Sequence, residues 1–153
     1  MSIWGHKPSQ NDDASDWLNE FLEAPSLDLL EEALLEVANP AHVGYIEIPE
    51  GGIAIVAAEV LAQILGAHAE DPTLKPDEVL PLVDLVEDVE PLVVKRLVDQ
   101  ALVAVQRVMH DAEHSEMRQV YDEDESGAEE WLEETQALVT RLQSVRPQIE
   151  GLG

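Results

Sequence analysis

The chain has 153 residues, of which 45% are hydrophobic and only 4% aromatic, and it contains no cysteine. This length fits one domain with an aliphatic core, and the lack of cysteine excludes disulfide frameworks and thiolate chemistry. With 33 acidic and 8 basic side chains, the net charge is −25, which argues against direct binding to nucleic acids or anionic membranes because their phosphates require Lys and Arg.

The first third of the sequence predicts two amphipathic helices. Residues 11–13 can cap a first helix that runs to about Glu23 and ends before Pro25. Ser26 opens a second helix with leucines at helical spacing, and Asn39 with the following proline ends it. The residues predicted on the wet face of this second helix are Glu31, Glu32 and Glu36.

The middle of the sequence predicts a buried helix. The alternation at residues 45–48 allows one very short strand, although no partner strand is evident. Pro49 to Gly52 indicates a turn or a helix entry, and a third helix is predicted from Ile53 to Leu65. This helix is apolar nearly all round, so we place it at the centre of the fold, with Gly66 as its C-cap.

The second half predicts further helices. After a loop at residues 71–76, a short fourth helix is predicted from Asp77 to Val86, bent or interrupted at Pro81. A long fifth helix with a broad apolar face is predicted from Leu92 to about Asp111, because Pro91 suits a first turn.

Residues 115–121 indicate another helical turn or two. After an acidic break at residues 122–127, a last helix contains Trp131 and Leu142. The whole pattern predicts a compact all-α, single-domain bundle of about five to seven helices over residues 1–153.

Two motifs suggest metal binding, and each has a simpler explanation. His110 and His114 have the H-x-x-E-H spacing of an inverted zinc-protease motif, but such proteases need a further acidic ligand and a large chamber, so adventitious metal binding is favoured. Residues 122–133 match the calcium-loop template. We favour a capping box instead, in which Ser126 and Glu129 start a helix at Gly127.

Glu59 is the third candidate, because it is a carboxylate in an otherwise apolar helix. A buried carboxylate must find hydrogen-bond partners. We therefore expect Glu59 to be buried and structural, tying down a neighbouring loop through backbone N–H groups, rather than to act as a general base or metal ligand.

Short motifs near the N-terminus carry a resemblance. They are Trp4-Gly5, Pro8, Asn11-Asp12-Asp13-Ala14 and Asp16-Trp17. They resemble the opening of a bacterial family, domain of unknown function 4259. The likeness continues at Tyr45-Ile46-Glu47, Ala57-Ala58-Glu59, Ser115-Glu116-Met117, Trp131 and Arg141-Leu142.

The sequence departs from this family at Ser2-Ile3 and His6-Lys7, where small residues are usual, and its tail is more acidic. The His110 and His114 pair is not a feature of the family. The resemblance implies a compact helical domain with no established activity, so it narrows the fold more than the function.

Location and membrane association can also be predicted. Residues 1–10 lack a basic region followed by an apolar run, so we expect no secretory signal. The longest apolar stretch, Ile53 to Leu65, is shorter than the about 20 residues that cross a bilayer. We therefore expect a cytoplasmic protein that does not associate with membranes.

The acidic residues fall into three runs, residues 12–36, 70–90 and 111–134, and they give the leading hypothesis for function. We expect a non-catalytic interaction protein that binds a basic protein, as an inhibitor, an immunity-type protein or a nucleic-acid mimic. No catalytic, cofactor or metal residue is assigned, and the oligomeric state stays open.

The alternative is a carboxylate-based metal-binding domain or enzyme of unknown substrate, using Asp12, Asp16, Glu59 or the 122–133 segment. A pocket that gathers three or more carboxylates would favour this alternative, whereas a smooth acidic face would favour protein binding.

Overall fold

The computed structural model describes residues 12–39, 46–67, 76–87, 89–110, 115, 118–119 and 125–152. This part of the chain forms six helices and no sheet, which confirms the all-α prediction. The helices are α1 (Asp12–Glu23), α2 (Leu27–Ala38), α3 (Ile48–Ile64), α4 (Pro76–Glu87), α5 (Pro91–His110) and α6 (Glu125–Leu152).

Helices α2 and α5 lie close to their predicted positions. The Ser26 hydroxyl accepts the backbone N–H of Leu29 at 3.2 Å, so it is the N-cap that the sequence indicates for α2. Pro91 is the first residue of α5, where its missing N–H costs no helical hydrogen bond. Local sequence signals therefore predicted where each of these two helices starts.

Helix α3 begins earlier than predicted, at Ile48 instead of Ile53. Pro49 lies in its first turn, and Gly51 and Gly52 are buried inside it. The prediction favoured a turn because glycine costs about 1 kcal/mol in a helix interior. Burial against neighbouring helices offsets that cost here.

Two further predictions, for α4 and α6, need correction. Helix α4 was predicted to be bent or interrupted at Pro81, and it is continuous through Pro81, so it is not interrupted there. Pro81 is exposed on a helix in which it removes one hydrogen bond. Helix α6 begins at Glu125, so Ser126 lies in its first turn rather than before a helix that starts at Gly127. The loop predicted at residues 71–76, before α4, lies mostly outside the described residues, at 71–75.

The short strand allowed at residues 45–48 is a single bridge residue among those described. Ile46 forms an isolated parallel bridge with Ser115, and both residues are buried. The Ser115 hydroxyl donates to the Val108 carbonyl at 2.7 Å and accepts the Arg118 N–H at 3.3 Å. Ser115 thus closes the end of α5 and starts the turn that contains Arg118 and Gln119.

Helix α3 is the centre of the fold, as predicted. It packs against α1, α2, α4, α5 and α6, and its residues 54–64 are all buried. Helix α5 packs against α2, α3 and α6. An all-round apolar helix is stable only when neighbours cover every side, which explains this position.

The end of α3 is closed by Gly66, which has a φ of +92°. The N–H of Ala67 donates to the Ala62 carbonyl at 2.8 Å, and the N–H of Gly66 donates to the Gln63 carbonyl at 3.0 Å. This pair of bonds is a Schellman motif. Gly66 is therefore the helix-ending residue that the sequence predicted.

None of the helices in the described ranges is long and apolar enough to span a membrane.

Candidate functional site

The first half of the chain is a continuous acidic region. No Lys or Arg occurs between Lys7 and Lys75, a stretch that contains 14 acidic residues. Helices α1, α2 and α3 all belong to this stretch. Their combined surface therefore has no Lys or Arg of its own to neutralise it, and such a surface attracts cations.

A groove of about 300 Å³ lies where these three helices meet. Its lining is more apolar than polar; Glu32 and Glu36 are exposed, whereas Glu50 is half-buried and its Oε2 atom is buried. The lining residues are Trp17, Leu29, Glu32, Ala33, Glu36, Glu50 and Ile53. We call this feature the α1–α2–α3 groove.

Helical spacing explains why α2 supplies so much of the α1–α2–α3 groove. Its four lining residues stand at positions 29, 32, 33 and 36, which is one face of a helix. Glu32 and Glu36 are exposed and four residues apart, so their carboxylates are neighbours at the rim. Ala33 is buried between them and leaves space for a ligand.

Trp17 forms the aromatic side of the groove. It is half-buried, and its ring stacks on the buried Phe21 ring with centroids 5.3 Å apart and an angle of 13° between the planes. Stacking on a fully buried side chain restrains the orientation of the indole. The face of an indole attracts cations that lie over it.

The three glutamates of the groove lie on two helices, since Glu50 is in the first turn of α3. Among the residues described, no three His, Asp or Glu side chains lie close enough together to hold one metal ion. The carboxylates are spread around an apolar floor. This arrangement suits a cationic side chain with an apolar stem.

Glu59 is buried, as predicted, and its main partner is an arginine of α6. Arg141 makes a two-pronged ion pair with it, from Nη2 to Oε1 at 3.1 Å and from Nη1 to Oε2 at 3.3 Å. The two side chains are only 8% and 15% exposed. Arg141 also donates to the Ala67 carbonyl at 3.4 Å, so a guanidinium links Glu59 to the segment after α3, whereas the prediction was a link through backbone N–H groups.

Other arginines also bind the carboxyl ends of helices. Arg107 donates to the Val37 carbonyl in the last turn of α2, and Arg118 donates to the Met109 carbonyl at 3.0 Å in the last turn of α5. Such contacts satisfy terminal carbonyls and oppose the negative end of the helix dipole. Several of the arginines therefore make contacts between parts of the fold.

The remaining sequence candidates do not meet at one site in the described residues. Asp16 is exposed on α1 and does not line the α1–α2–α3 groove. His110 is exposed at the end of α5, and the rest of its motif, residues 111–114, lies outside the described residues. Residues 122–124 of the calcium template also lie outside. Glu133 is exposed within α6, and the side chain of Asp12 is outside the description.

The α1–α2–α3 groove was not predicted from the sequence. Trp17 was named only as part of the family motif, and Glu32 and Glu36 were predicted only to be solvent-exposed, which is correct. The sequence did contain a signal for this groove, because leucine and glutamate residues occur on the same face of α2. Glu50 could not be linked to that stripe without knowing how α2 and α3 pack.

Comparison with known proteins gives a family and no closer relative. No curated protein and no solved structure matches the chain. The model of the family described as "Domain of unknown function (DUF4259)" matches residues 2–134. The chain therefore belongs to the DUF4259 family of domains of unknown function.

Proposed function

We propose that this protein is a non-catalytic interaction domain that binds a basic protein partner through the α1–α2–α3 groove. The observation that carries the proposal is the combination of a fixed half-buried indole, Trp17, with three glutamates around an apolar floor. A cytoplasmic location is part of the proposal, in keeping with a sequence free of cysteine.

The expected ligand group is a Lys or Arg side chain next to an apolar residue. The long apolar stem of Lys or Arg packs on Leu29 and Ile53, while its charged head reaches the glutamates at the rim. A cation over an indole face contributes about 0.5–2 kcal/mol, depending on how far it is desolvated. An inhibitor, an immunity-type protein or a nucleic-acid mimic would each use such a contact.

The test uses a synthetic amphipathic helix of leucine and lysine as the probe and measures its dissociation constant by calorimetry. Glu32→Lys with Glu36→Lys should weaken binding roughly tenfold, because both changes reverse charge at the rim. The matched control is Asp84→Lys with Glu87→Lys, a pair of exposed residues on α4 with the same change in net charge.

The control pair separates a specific groove from general attraction to an acidic surface. If both pairs weaken binding equally, the acidity acts only as diffuse charge and the groove is not the site. Trp17→Leu should also weaken binding while leaving the net charge unchanged. Unchanged affinity in that variant would contradict the role of the indole.

Metal binding is the alternative that the sequence left open, and the described residues argue against it, because no three of their His, Asp or Glu side chains lie close enough together to hold one metal ion. Calcium and zinc serve as the probes, each titrated by calorimetry against the unmodified protein. Micromolar binding that Glu50→Gln abolishes would favour a carboxylate-based metal site over protein binding.

A further inference from the structure

The outward face of α5 carries exposed apolar side chains. Leu92 is 74% exposed and Val103 is 45% exposed. Together with Arg96 and Asp99 they recur at intervals of four, three and four residues, which keeps all four on one face of the helix. We call these four residues the α5 stripe.

The α5 stripe borders a groove of about 430 Å³ between α2 and α5. Leu35 and Ala38 of α2 form the far wall of this groove. Apolar side chains at the rim of an open apolar groove are typical of a surface that another protein covers. The groove is separate from the α1–α2–α3 groove and shares no lining residue with it.

Charge distinguishes this face from the rest of the molecule. Helix α5 contains Lys95, Arg96 and Arg107 but one acidic residue, Asp99, in a chain whose net charge is −25. The Arg96 side chain is 59% exposed, although its Nε lies 3.3 Å from Glu31 of α2. A second copy of so acidic a protein would be repelled less at this face than at the acidic α1–α2–α3 side.

The α5 stripe is also complementary to the α5 stripe of a second copy that lies antiparallel to it. When two copies of α5 lie antiparallel about the level of Leu97 and Val98, position 92 meets position 103 and position 96 meets position 99. Leu92 then lies beside the partner's Val103, and Arg96 beside the partner's Asp99. A two-fold axis makes each contact occur twice, which is the property of an isologous interface.

We propose that the α5 stripe is the contact surface of a symmetric homodimer with antiparallel α5 helices. A partner of one charge sign would be attracted by one of Arg96 and Asp99 and repelled by the other, whereas a second copy sets an opposite charge beside each of them. The surface pairs only two apolar contacts with two ion pairs, so we expect a weak dimer that forms at roughly 10–500 μM protein.

The test is the molar mass by light scattering and sedimentation over that concentration range, in about 0.15 M salt, where the Debye length is about 8 Å. The unmodified protein should approach the mass of two chains. Asp99→Arg places like charges together and should weaken dimerisation at least about tenfold. Adding Arg96→Asp to that variant exchanges the two charges and should restore the dimer.

An exposed leucine elsewhere supplies the matched control. Leu92→Glu should weaken the dimer, whereas Leu80→Glu on α4, where the leucine is 72% exposed, should leave it unchanged. Circular dichroism checks that each variant is folded. A monomer at every concentration, equal effects of the two leucine variants, or failure of the charge exchange to restore the dimer would overturn the proposal.

Discussion

Arg141 connects parts of the chain that are far apart in sequence. It lies 82 residues after Glu59 and binds both that carboxylate and the Ala67 carbonyl beyond the end of α3. A guanidinium presents several donors in one plane, so one side chain can hold a carboxylate and a carbonyl together. The sequence predicted the burial of Glu59, but no local pattern identifies a partner 82 residues away.

The first prediction for single residues concerns the buried ion pair between Glu59 and Arg141. Glu59→Ala should lower the free energy of unfolding by about 3 kcal/mol, because it leaves the Arg141 guanidinium buried without its carboxylate. The measurement is urea unfolding followed by circular dichroism. Replacing both residues, as Glu59→Leu with Arg141→Met, should cost less than the single change, since no buried charge remains. A double variant that loses as much as the two single changes added together would show that the pair is not coupled.

The next prediction concerns Gly66. Gly66→Ala should lower the free energy of unfolding by about 1 kcal/mol, because a φ of +92° strains a residue with a side chain. A Cβ at this position would have no atom within 4 Å, so packing contributes nothing to the cost. Thermal melting measures it. Gly66→Asn is the control and should lose less, because asparagine tolerates left-handed backbone. Equal or greater stability in Gly66→Ala would contradict this reading.

At the scale of elements, the sequence predicted the helices with strong local signals best. The Ser26 cap and Pro91 defined the starts of α2 and α5, and Gly66 defined the end of α3. Propensity failed at the start of α3, because Gly51 and Gly52 favour a turn in isolation and are held in a helix by burial. Tertiary packing decided that boundary.

The closures of the helix ends show a second limit of prediction from sequence. Arg107 binds the end of α2 from 70 residues away, and Arg118 binds the end of α5. Of the two helices closed in this way, α2 has no basic residue of its own in the last turn, whereas α5 has Arg107 and His110. These contacts depend on how helices cross, so a local pattern cannot specify them.

At the scale of the whole molecule, charge is segregated. The α1–α2–α3 side has no Lys or Arg in its sequence, whereas α5 carries three of the eight basic residues. The composition gave the net charge but not this division between faces. The acidic run at residues 12–36 forms part of the groove, while much of the run at residues 111–134 lies outside the described residues.

Binding of a basic partner and dimerisation are proposed for different faces, so each can be disproved without the other. Charge reversal at Glu32 and Glu36 should weaken the binding of a basic ligand and leave dimerisation intact. Substitutions in the α5 stripe should weaken dimerisation and leave the binding of the basic ligand intact.

Binding of basic side chains in the α1–α2–α3 groove is tested most directly by an NMR titration of the isotope-labelled protein with the leucine–lysine helix. We expect the Trp17 indole N–H and the amides of Ala33 and Ile53 to shift most, in proportion to the fraction bound. Trp17→Leu assigns the indole signal among the three tryptophans. Shifts spread evenly over exposed acidic residues such as Asp16, Asp84 and Glu133, with the groove amides unmoved, would show that the groove is not the binding site.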